Sequence, residues 1–438
     1  MAWSSLPPEI KLNVIDLLEV EQIKALASID SETRSLCVPF VFKSVNVKSY
    51  EDLLNFLDEV PRDYYQCIRR LSLCTKSTKD NNAQGVFFTH ATTDNPSPHP
   101  RTDALIALIA HCARLEELSL LLMGSLANTI IPYFEMLHNL RSLTIDNAGD
   151  EERTPISERL AVSIAASCPT LTHLSLSCIS RSVIHASESL GVYPYIPLVS
   201  NDDDVPPHPR LGSALSLPSL LSIPTLKKLA IRDTHLGDPL WESVDPQCHL
   251  EVLDLGSSYH ETDERNRTYI ECILAKVYST VDEFTLNTSI TSIPPAMRLR
   301  RLRLTPLVPL SRFTQTLSSF STSPVEKISI ECHEEDLVDV CETLEEFLST
   351  RVEMTELGFF KDLSDVSLTI KHEGDETWSS VGEGMSFKDG LLLDREERLQ
   401  RLQEYCRDLN LTGLLADLGC EVVATSEGEK RVVVDRQL

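Results

Sequence analysis

The sequence predicts an α/β protein in which a short N-terminal helical unit precedes a curved solenoid of parallel strands with outer helices. Two observations support the solenoid. A phrase of the form apolar-x-x-apolar-x-apolar recurs ten times beyond residue 60, and the segments between its copies hold apolar residues at helical spacing. Because alternate side chains of a strand share one face, the last two apolar residues of each phrase are expected to point inward from a short strand.

The spacing of the phrase indicates stacked repeats. Six of the nine steps between successive central apolar positions are 24 to 31 residues long, close to the repeat length of about 20–29 residues of leucine-rich repeats. Strand plus helix, repeated, stacks into a parallel sheet lined outside by helices. The alternative is an ordinary α/β domain with leucine-rich strands. The predicted inward pairs are Leu71/Leu73, Leu118/Leu120, Leu143/Ile145, Leu174/Leu176, Leu229/Ile231, Leu253/Leu255, Phe284/Leu286, Leu302/Leu304, Ile328/Ile330 and Leu357/Phe359.

Three short helices are predicted within the first 45 residues. The first follows Pro7 or Pro8, either of which suits a first helical turn. A second runs over 19–29, and a third is capped by Ser31 and ends at Pro39, after which the chain turns extended. A unit this small buries little apolar surface, so it is expected to depend on a partner or on the rest of the chain. The apolar faces of the first two helices comprise Ile10, Val14, Leu17, Leu18, Ile23, Leu26 and Ala27.

Four stretches of this unit follow a known pattern: Leu6-Pro7-Pro8-Glu9-Ile10, Leu17-Leu18, Ile23/Leu26/Ala27 and Arg34-Ser35-Leu36 leading into Pro39-Phe40-Val41-Phe42-Lys43-Ser44-Val45. With these stretches the unit resembles an F-box, and its last part resembles the ending common in fungal F-box-like proteins. The family implies docking on the Skp-type adaptor of a cullin–RING ubiquitin ligase; the alternative is that the helices only cap the array. The adaptor-binding residues that the resemblance implies are Leu6, Pro7, Ile10, Leu17, Leu18, Ile23 and Leu26.

The chain is expected to comprise three parts: a helical unit over 1–45, irregular leucine-rich repeats over 46–360, and an acidic C-terminal cap over 361–438. Polar inserts near 76–100 and 182–220 are predicted to be surface loops, and Asp202–Asp204 within the second is predicted to be solvated. The third part is expected to hold a strand at 366–370, one or two helices over 394–418 and a terminal hairpin.

Composition restricts the classes of partner. The formal net charge is −26 over 438 residues, and a balance this acidic argues against nucleic acid and against an anionic membrane surface. The sequence shows no charged start followed by an apolar run, so we expect no secretory signal. The twelve cysteines include no C-x-x-C pair. The sequence therefore predicts a cytoplasmic or nuclear protein with reduced thiols.

No pattern of catalytic residues is found. G-x-G-x-x-G, the Walker loop, H-E-x-x-H and G-x-S-x-G are all absent. Cys332-His333-Glu334-Glu335-Asp336 groups ligand-type residues, but their adjacency is more typical of an acidic loop than of a metal site. We expect no enzymatic activity, no cofactor and no metal.

A positive group is predicted on the inner face of the middle and late repeats. If the strands are right, cationic side chains flank the inward pairs, where they are suited to an acidic or phosphorylated partner segment. The alternative is that they pair with Asp254 and Glu283 on neighbouring strands. These partner-binding candidates are Lys228, Arg232, Arg301, Arg303 and Lys327.

The resulting functional hypothesis is a substrate-receptor subunit of a cullin–RING ligase. The N-terminal helices would dock the adaptor, the repeats would hold an unidentified protein substrate, and the chain would be a monomer outside the complex. The alternative is a leucine-rich scaffold without a ligase link.

Overall fold

The computed structural model describes residues 3, 6–77, 99–124, 126–149, 151–186, 196–256, 261–294, 297–306, 308–333, 336–354, 358–371, 410–412, 420–424 and 430–434. The chain divides into two compact units, Met1–Cys248 and His249–Leu438. In each unit the described residues build a parallel sheet whose strands alternate with helices, so the α/β class is confirmed. The curvature of the array and the boundaries at 45 and 360 stay predictions.

Three helices open the first unit: α1 (Pro8–Asp16), α2 (Val20–Ala27) and α3 (Ser31–Val41). They pack around a small core of Ile15, Ile23 and Cys37. Glu19 begins α2 in a capping box with Gln22, which satisfies amides that a helix start leaves unpaired. The helices are present where the sequence predicts them; that they form an F-box is not shown by this arrangement.

Two details of α3 correct the prediction. Its N-cap is Asp30, whose carboxylate accepts a hydrogen bond from the Thr33 amide at 2.6 Å. Pro39 lies inside the helix, and Phe40 and Val41, predicted to be extended, are helical and pack against the three-residue core. Proline removes one hydrogen bond near the end of the helix, and burial of the two following side chains offsets that loss.

The first unit is organised by six strands that pair in parallel. The register places Leu71 opposite Leu118, which lies opposite Leu143, and these side chains are at most 2% exposed. In order along the sheet the strands are β1 (Ser44–Val47), β2 (Arg70–Cys74), β3 (Glu117–Leu122), β4 (Ser142–Asn147), β5 (His173–Ser177) and β8 (Lys228–Arg232). Between β5 and β8 in the sequence, β6 (Arg181–Ser182) and β7 (Leu198–Val199) form a separate pair. The phrase thus predicts β2 to β5 and β8 correctly; β1 also follows it, with Phe42, Val45 and Val47, and was missed.

Five helices accompany these strands along the chain. Ser49 and Ser157 cap α4 and α7 by accepting hydrogen bonds from the amides of Asp52 and Arg159, each at 3.1 Å. These helices are α4 (Tyr50–Glu59), α5 (Pro100–Ile109), α6 (Ile131–Glu135), α7 (Glu158–Ser167) and α8 (Val183–Ala186).

Parts of the second insert are buried rather than solvated. Asp202 is only 5% exposed, and its carboxylate accepts hydrogen bonds from the hydroxyls of Ser157 and Ser182. Val205 and Leu215 are also buried. Asp203 and Asp204 are exposed, as predicted. The prediction is wrong for Asp202, because the apolar residues of this insert are too few and irregular to show a period. Residues 78–98 of the first insert lie outside the described residues.

The second unit repeats the same plan. Its described strands β9 (Val252–Leu255), β10 (Glu283–Leu286), β11 (Arg301–Leu304), β12 (Lys327–His333), β13 (Asp365–Lys371) and β14 (Asn410–Thr412) pair in parallel in this order. The helices α9 (Asp263–Val277), α10 (Phe313–Ser319) and α11 (Leu337–Glu353) lie between strands. Because β13 and β14 extend this sheet, strand pairing of the repeat type continues beyond residue 360.

The tenth predicted phrase is wrong. Met354 follows the last turn of α11, and Phe359 lies in a turn rather than a strand, while Leu357 lies outside the described residues. Phe360 packs edge-on against Phe347 with ring centroids 5.2 Å apart, so the aromatic residues here hold the helix to the turn. The strand comes later, with the same phrase at Leu363/Val366/Leu368.

The C-terminal predictions have mixed outcomes. β15 (Cys420–Ala424) and β16 (Lys430–Val434) form the expected antiparallel hairpin. Asn410–Thr412 is a strand, although a helix was predicted over 394–418; residues 394–409 and 413–418 lie outside the described residues. Across the described ranges, no helix has the length and apolar character needed to cross a bilayer.

Candidate binding surfaces

The first two helices expose an unusual concentration of apolar side chains. Among the described residues, half of the ten large hydrophobic side chains that are exposed lie between residues 10 and 29. Leu17, directly after the last residue of α1, is 86% exposed. We call this set the apolar helix face: Ile10 (46% exposed), Leu12 (36%), Leu17 (86%), Val20 (48%) and Ile29 (62%).

Polar contacts fix α1 relative to α3 and thereby position the apolar helix face. The buried Lys11 of α1 reaches Glu32 at 2.8 Å, between its ammonium and the Glu32 carboxylate. The indole of Trp3 donates to the Thr33 hydroxyl at 2.9 Å. Lys11 and Ile15 are the buried residues of α1, so Ile10 lies on its outer side, and Leu17 is exposed just beyond its end.

The seven predicted adaptor-binding residues divide between surface and core. Pro7, Ile10 and Leu17 are exposed, and Leu6 is half-buried. Ile23 is 4% exposed in the core of the helices. Leu18 and Leu26 pack against that core. The assignment of these seven residues stays a prediction; three of them are exposed, one is half-buried, and three lie in or against the core.

The predicted positive group is divided between the two units. Lys228 and Arg232 lie on β8 of the first unit, and the other three cations lie in the second. There, Arg301 pairs with Asp282 at 3.2 Å and Glu283 at 3.3 Å.

Arg303 and Lys327 of that group also have acidic partners. The guanidinium of Arg303 donates to the carboxylate of Glu331, whose side chain is only 7% exposed. Lys327 lies 3.0 Å from Asp365. The three cations line a pocket of about 200 Å³ together with Glu283 and Glu331. This charge balance describes pairing between neighbouring strands; binding of a partner by these residues stays a prediction.

A buried ionic cluster, missed by the sequence analysis, anchors the second insert. Arg181 and Glu158 are fully buried, with 2.8 Å between the guanidinium and the carboxylate, and Arg181 also reaches Asp238 at 2.7 Å. The ring of His185 lies 3.0 Å from Glu158. Burial would raise the pKa of Glu158, but Arg181 and His185 hold it below its ordinary value. Burial raises the pKa of Asp238 more than the shared Arg181 lowers it.

A separate cluster of acidic side chains surrounds Cys178 at the ends of β4, β5 and β8. Burial, with Glu151, Asp233 and Asp146 nearby, raises the pKa of the Cys178 thiol to about 12, against which a hydrogen bond from Ser177 acts. Burial and Asp233 raise the pKa of Asp146. A thiol held protonated in this way is a poor nucleophile. Within the described ranges, no three His, Cys, Asp or Glu side chains are placed to hold a metal ion.

Comparisons with known proteins add little to these surfaces. No family model and no curated protein matches the chain. The solved crystal structure of the Rad7 and Elc1 complex in yeast is similar over 95% of this chain and 95% of that chain, with 14% sequence identity and a TM-score of 0.28. A similarity with so low a TM-score carries no argument. The residues themselves define the class: an α/β protein with a large parallel sheet and an exposed apolar helical surface.

Proposed function

We propose that the chain is a substrate-receptor subunit of a cullin–RING ubiquitin ligase. In this proposal the N-terminal helices dock a Skp-type adaptor, and the parallel strands bind a protein substrate. The protein is a monomer outside the complex and is located in the cytoplasm or nucleus.

The exposure of the apolar helix face is the observation that carries the proposal. Fully burying a leucine side chain contributes about 1.5–3 kcal/mol, and Leu17 is left 86% exposed. Exposed apolar side chains that cluster in this way mark interaction sites more often than scattered ones do. Ile10 and Leu17 of this face also belong to the F-box resemblance, which implies a Skp-type adaptor as the partner.

The positions of the seven predicted residues give each a role in this docking. Pro7, Ile10 and Leu17 contact the adaptor directly, whereas Ile23 supports the surface from the core. Leu12, Val20 and Ile29 enlarge the contact beyond the residues that the resemblance implies. Leu18 and Leu26 also support the surface from the core, and the half-buried Leu6 lies at the margin of the contact.

We propose no enzymatic activity for the chain itself. This is supported by the absence of phosphate-binding, metalloprotease and hydrolase motifs from the sequence. It is also supported by Cys178, whose raised pKa disfavours the thiolate that catalysis by cysteine requires. In a ligase of this kind, catalysis belongs to other subunits.

Calorimetric titration with a purified Skp-type adaptor tests the proposal. We expect wild type to bind one to one and Ile10→Glu/Leu17→Glu to lose binding, because both charges would enter an apolar interface. Leu54→Glu/Met136→Glu is the matched control, since these residues are 45% and 54% exposed outside the apolar helix face. Folded wild type that does not bind the adaptor would contradict the proposal and favour the scaffold alternative.

A further inference from the structure

Cations gather where the strands of the first unit begin. Most of the charged residues just before or at the first position of these strands are basic. All six cations are solvent-exposed. We call the set the basic band: Lys43, Arg69, Arg70, Arg141, Lys227 and Lys228.

Backbone hydrogen bonds align the basic band across the sheet. The amides of Arg69 and Arg70 both donate to the Lys43 carbonyl at 3.0 Å, and those of Lys227 and Lys228 both donate to the Thr172 carbonyl at 2.9 Å. At each intervening strand, two successive amides likewise donate to one carbonyl just before the preceding strand. Since neighbouring strands are about 4.8 Å apart, the band is one row rather than a set of scattered side chains.

The basic band is only partly neutralised. At the same positions of the row the acidic residues are Glu116 and Glu117, and six cations against two anions leave 6 − 2 = +4. Arg69 pairs with Glu116. Arg70, Arg141 and Lys228 form no ion pair with any side chain in the described part of the chain. A local excess of this sign stands out in a chain of net charge −26.

The second unit provides an internal comparison, because its strands begin with the same double hydrogen bonds. There the row carries three cations against five anions, 3 − 5 = −2. Arg300 and Arg301 both pair with Asp282, at 3.5 and 3.2 Å, and Lys327 pairs with Asp365 at 3.0 Å. The same architecture therefore neutralises itself in one unit and not in the other. The five anions are Glu251, Asp282, Glu283, Glu326 and Asp365.

We propose that the basic band binds an extended segment of a partner protein that is rich in Asp and Glu. Carboxylates match the guanidinium groups of Arg70 and Arg141 in charge and geometry. Alternate side chains of an extended segment lie about 7 Å apart on one face, which allows several to reach the row at once. A nucleic acid is disfavoured, because its many phosphates would be repelled by the rest of a chain of charge −26. The inference rests on the proposed function only in identifying this partner as the ligase substrate.

Fluorescence anisotropy on the full chain tests the proposal. The probe is a labelled synthetic peptide of about twelve alternating Glu and Ser residues, and the control peptide has Gln in place of Glu. We expect Arg70→Gln/Arg141→Gln/Lys228→Gln to weaken binding of the Glu peptide about tenfold, since three exposed charge pairs would be lost together. The control Lys24→Gln/Arg265→Gln/Arg300→Gln removes the same charge from three exposed cations outside the basic band, each of which pairs with a carboxylate, and is expected to change binding less than about twofold.

Three results would overturn the proposal: equal weakening by both triple variants, equal binding of the Glu and Gln peptides by wild type, or no binding of the Glu peptide at low salt. Melting curves of both variants establish that they are folded. The adaptor titration is repeated with the first triple variant and is expected to be unchanged, because none of its three residues lies on the apolar helix face. A failed peptide experiment is thereby distinguished from a failure of adaptor docking.

Discussion

Arg181 and Glu158 are both completely buried, and the Arg181 Nε donates to the Glu158 carboxylate at 2.8 Å. The pair joins the first residue of α7 to β6. Glu158 also accepts a hydrogen bond from the Ser182 amide at 2.9 Å, so a single side chain holds the start of the second insert in place. A buried charge that loses its partner is costly, and this makes the pair a sharp test of the fold.

Arg181→Met is expected to lower the free energy of unfolding by about 3–5 kcal/mol, because Glu158 and Asp238 would remain buried without their shared cation. The double variant Glu158→Leu/Arg181→Met should recover part of this loss, because it leaves fewer uncompensated charges. Urea denaturation of the full chain measures both. A loss below about 1 kcal/mol in the single variant, the size of a surface pair, would show that the cluster is not buried as described.

The same pair predicts a pH dependence. The pKa of Glu158 is lower in the folded protein than its ordinary value of 4.5. A carboxyl group of this kind contributes stability that is present above the unfolded pKa and is lost as pH falls through the folded pKa. Unfolding followed by circular dichroism between neutral pH and pH below 4 should show this loss in wild type. The loss should be smaller in Glu158→Gln. An identical loss of stability at acidic pH in both proteins would contradict the prediction.

The ion pairs of the second unit should differ in strength. Arg303→Ala is expected to lower the free energy of unfolding by about 2 kcal/mol, because it removes a cation from the nearly buried Glu331. Arg301→Ala should cost at most about 1 kcal/mol, since Arg301 is 51% exposed and its partners are also accessible to solvent. The denaturant unfolding midpoints of the two variants measure these losses of stability. Equal effects would mean that Glu331 does not depend on Arg303.

The thiol of Cys178 is expected to react slowly with iodoacetamide. Its pKa of about 12 leaves little thiolate at pH 8, and the carboxylates nearby raise that pKa further than burial alone. In Asp146→Asn/Asp233→Asn the pKa should fall and the alkylation rate at Cys178 should rise severalfold. Peptide mass spectrometry measures the rate at this residue. An unchanged rate in the variant would show that the carboxylates do not act on the thiol.

The strands were predictable because their information is local. In pairs such as Leu118/Leu120 and Leu302/Leu304, alternation within a few residues identifies both the strand and its buried face. The failure at Met354 has a physical cause: Phe359 and Phe360 are as apolar as a strand core but pack against Phe347 at the end of a helix. Apolar spacing alone does not distinguish these two uses.

The binding surfaces were less predictable. A stripe containing Ile10, Leu17 and Leu18 was read as one face, but α1 ends at Asp16, so Leu17 lies exposed while Leu18 packs inward. Arg181 and Glu158 are 23 residues apart, and nothing in the sequence links them. The basic band is visible only once strand register aligns residues as distant as Arg70 and Lys228.

Hydrogen–deuterium exchange of the full chain, with and without a saturating Skp-type adaptor, tests the central claim most directly. Adaptor docking on the apolar helix face predicts slower exchange over α1 and α2, residues 8–27, and unchanged exchange in α4, residues 50–59, where Leu54 is exposed but outside that face. Protection confined to the strands, or no protection anywhere in the chain, would contradict the claim that these helices dock an adaptor.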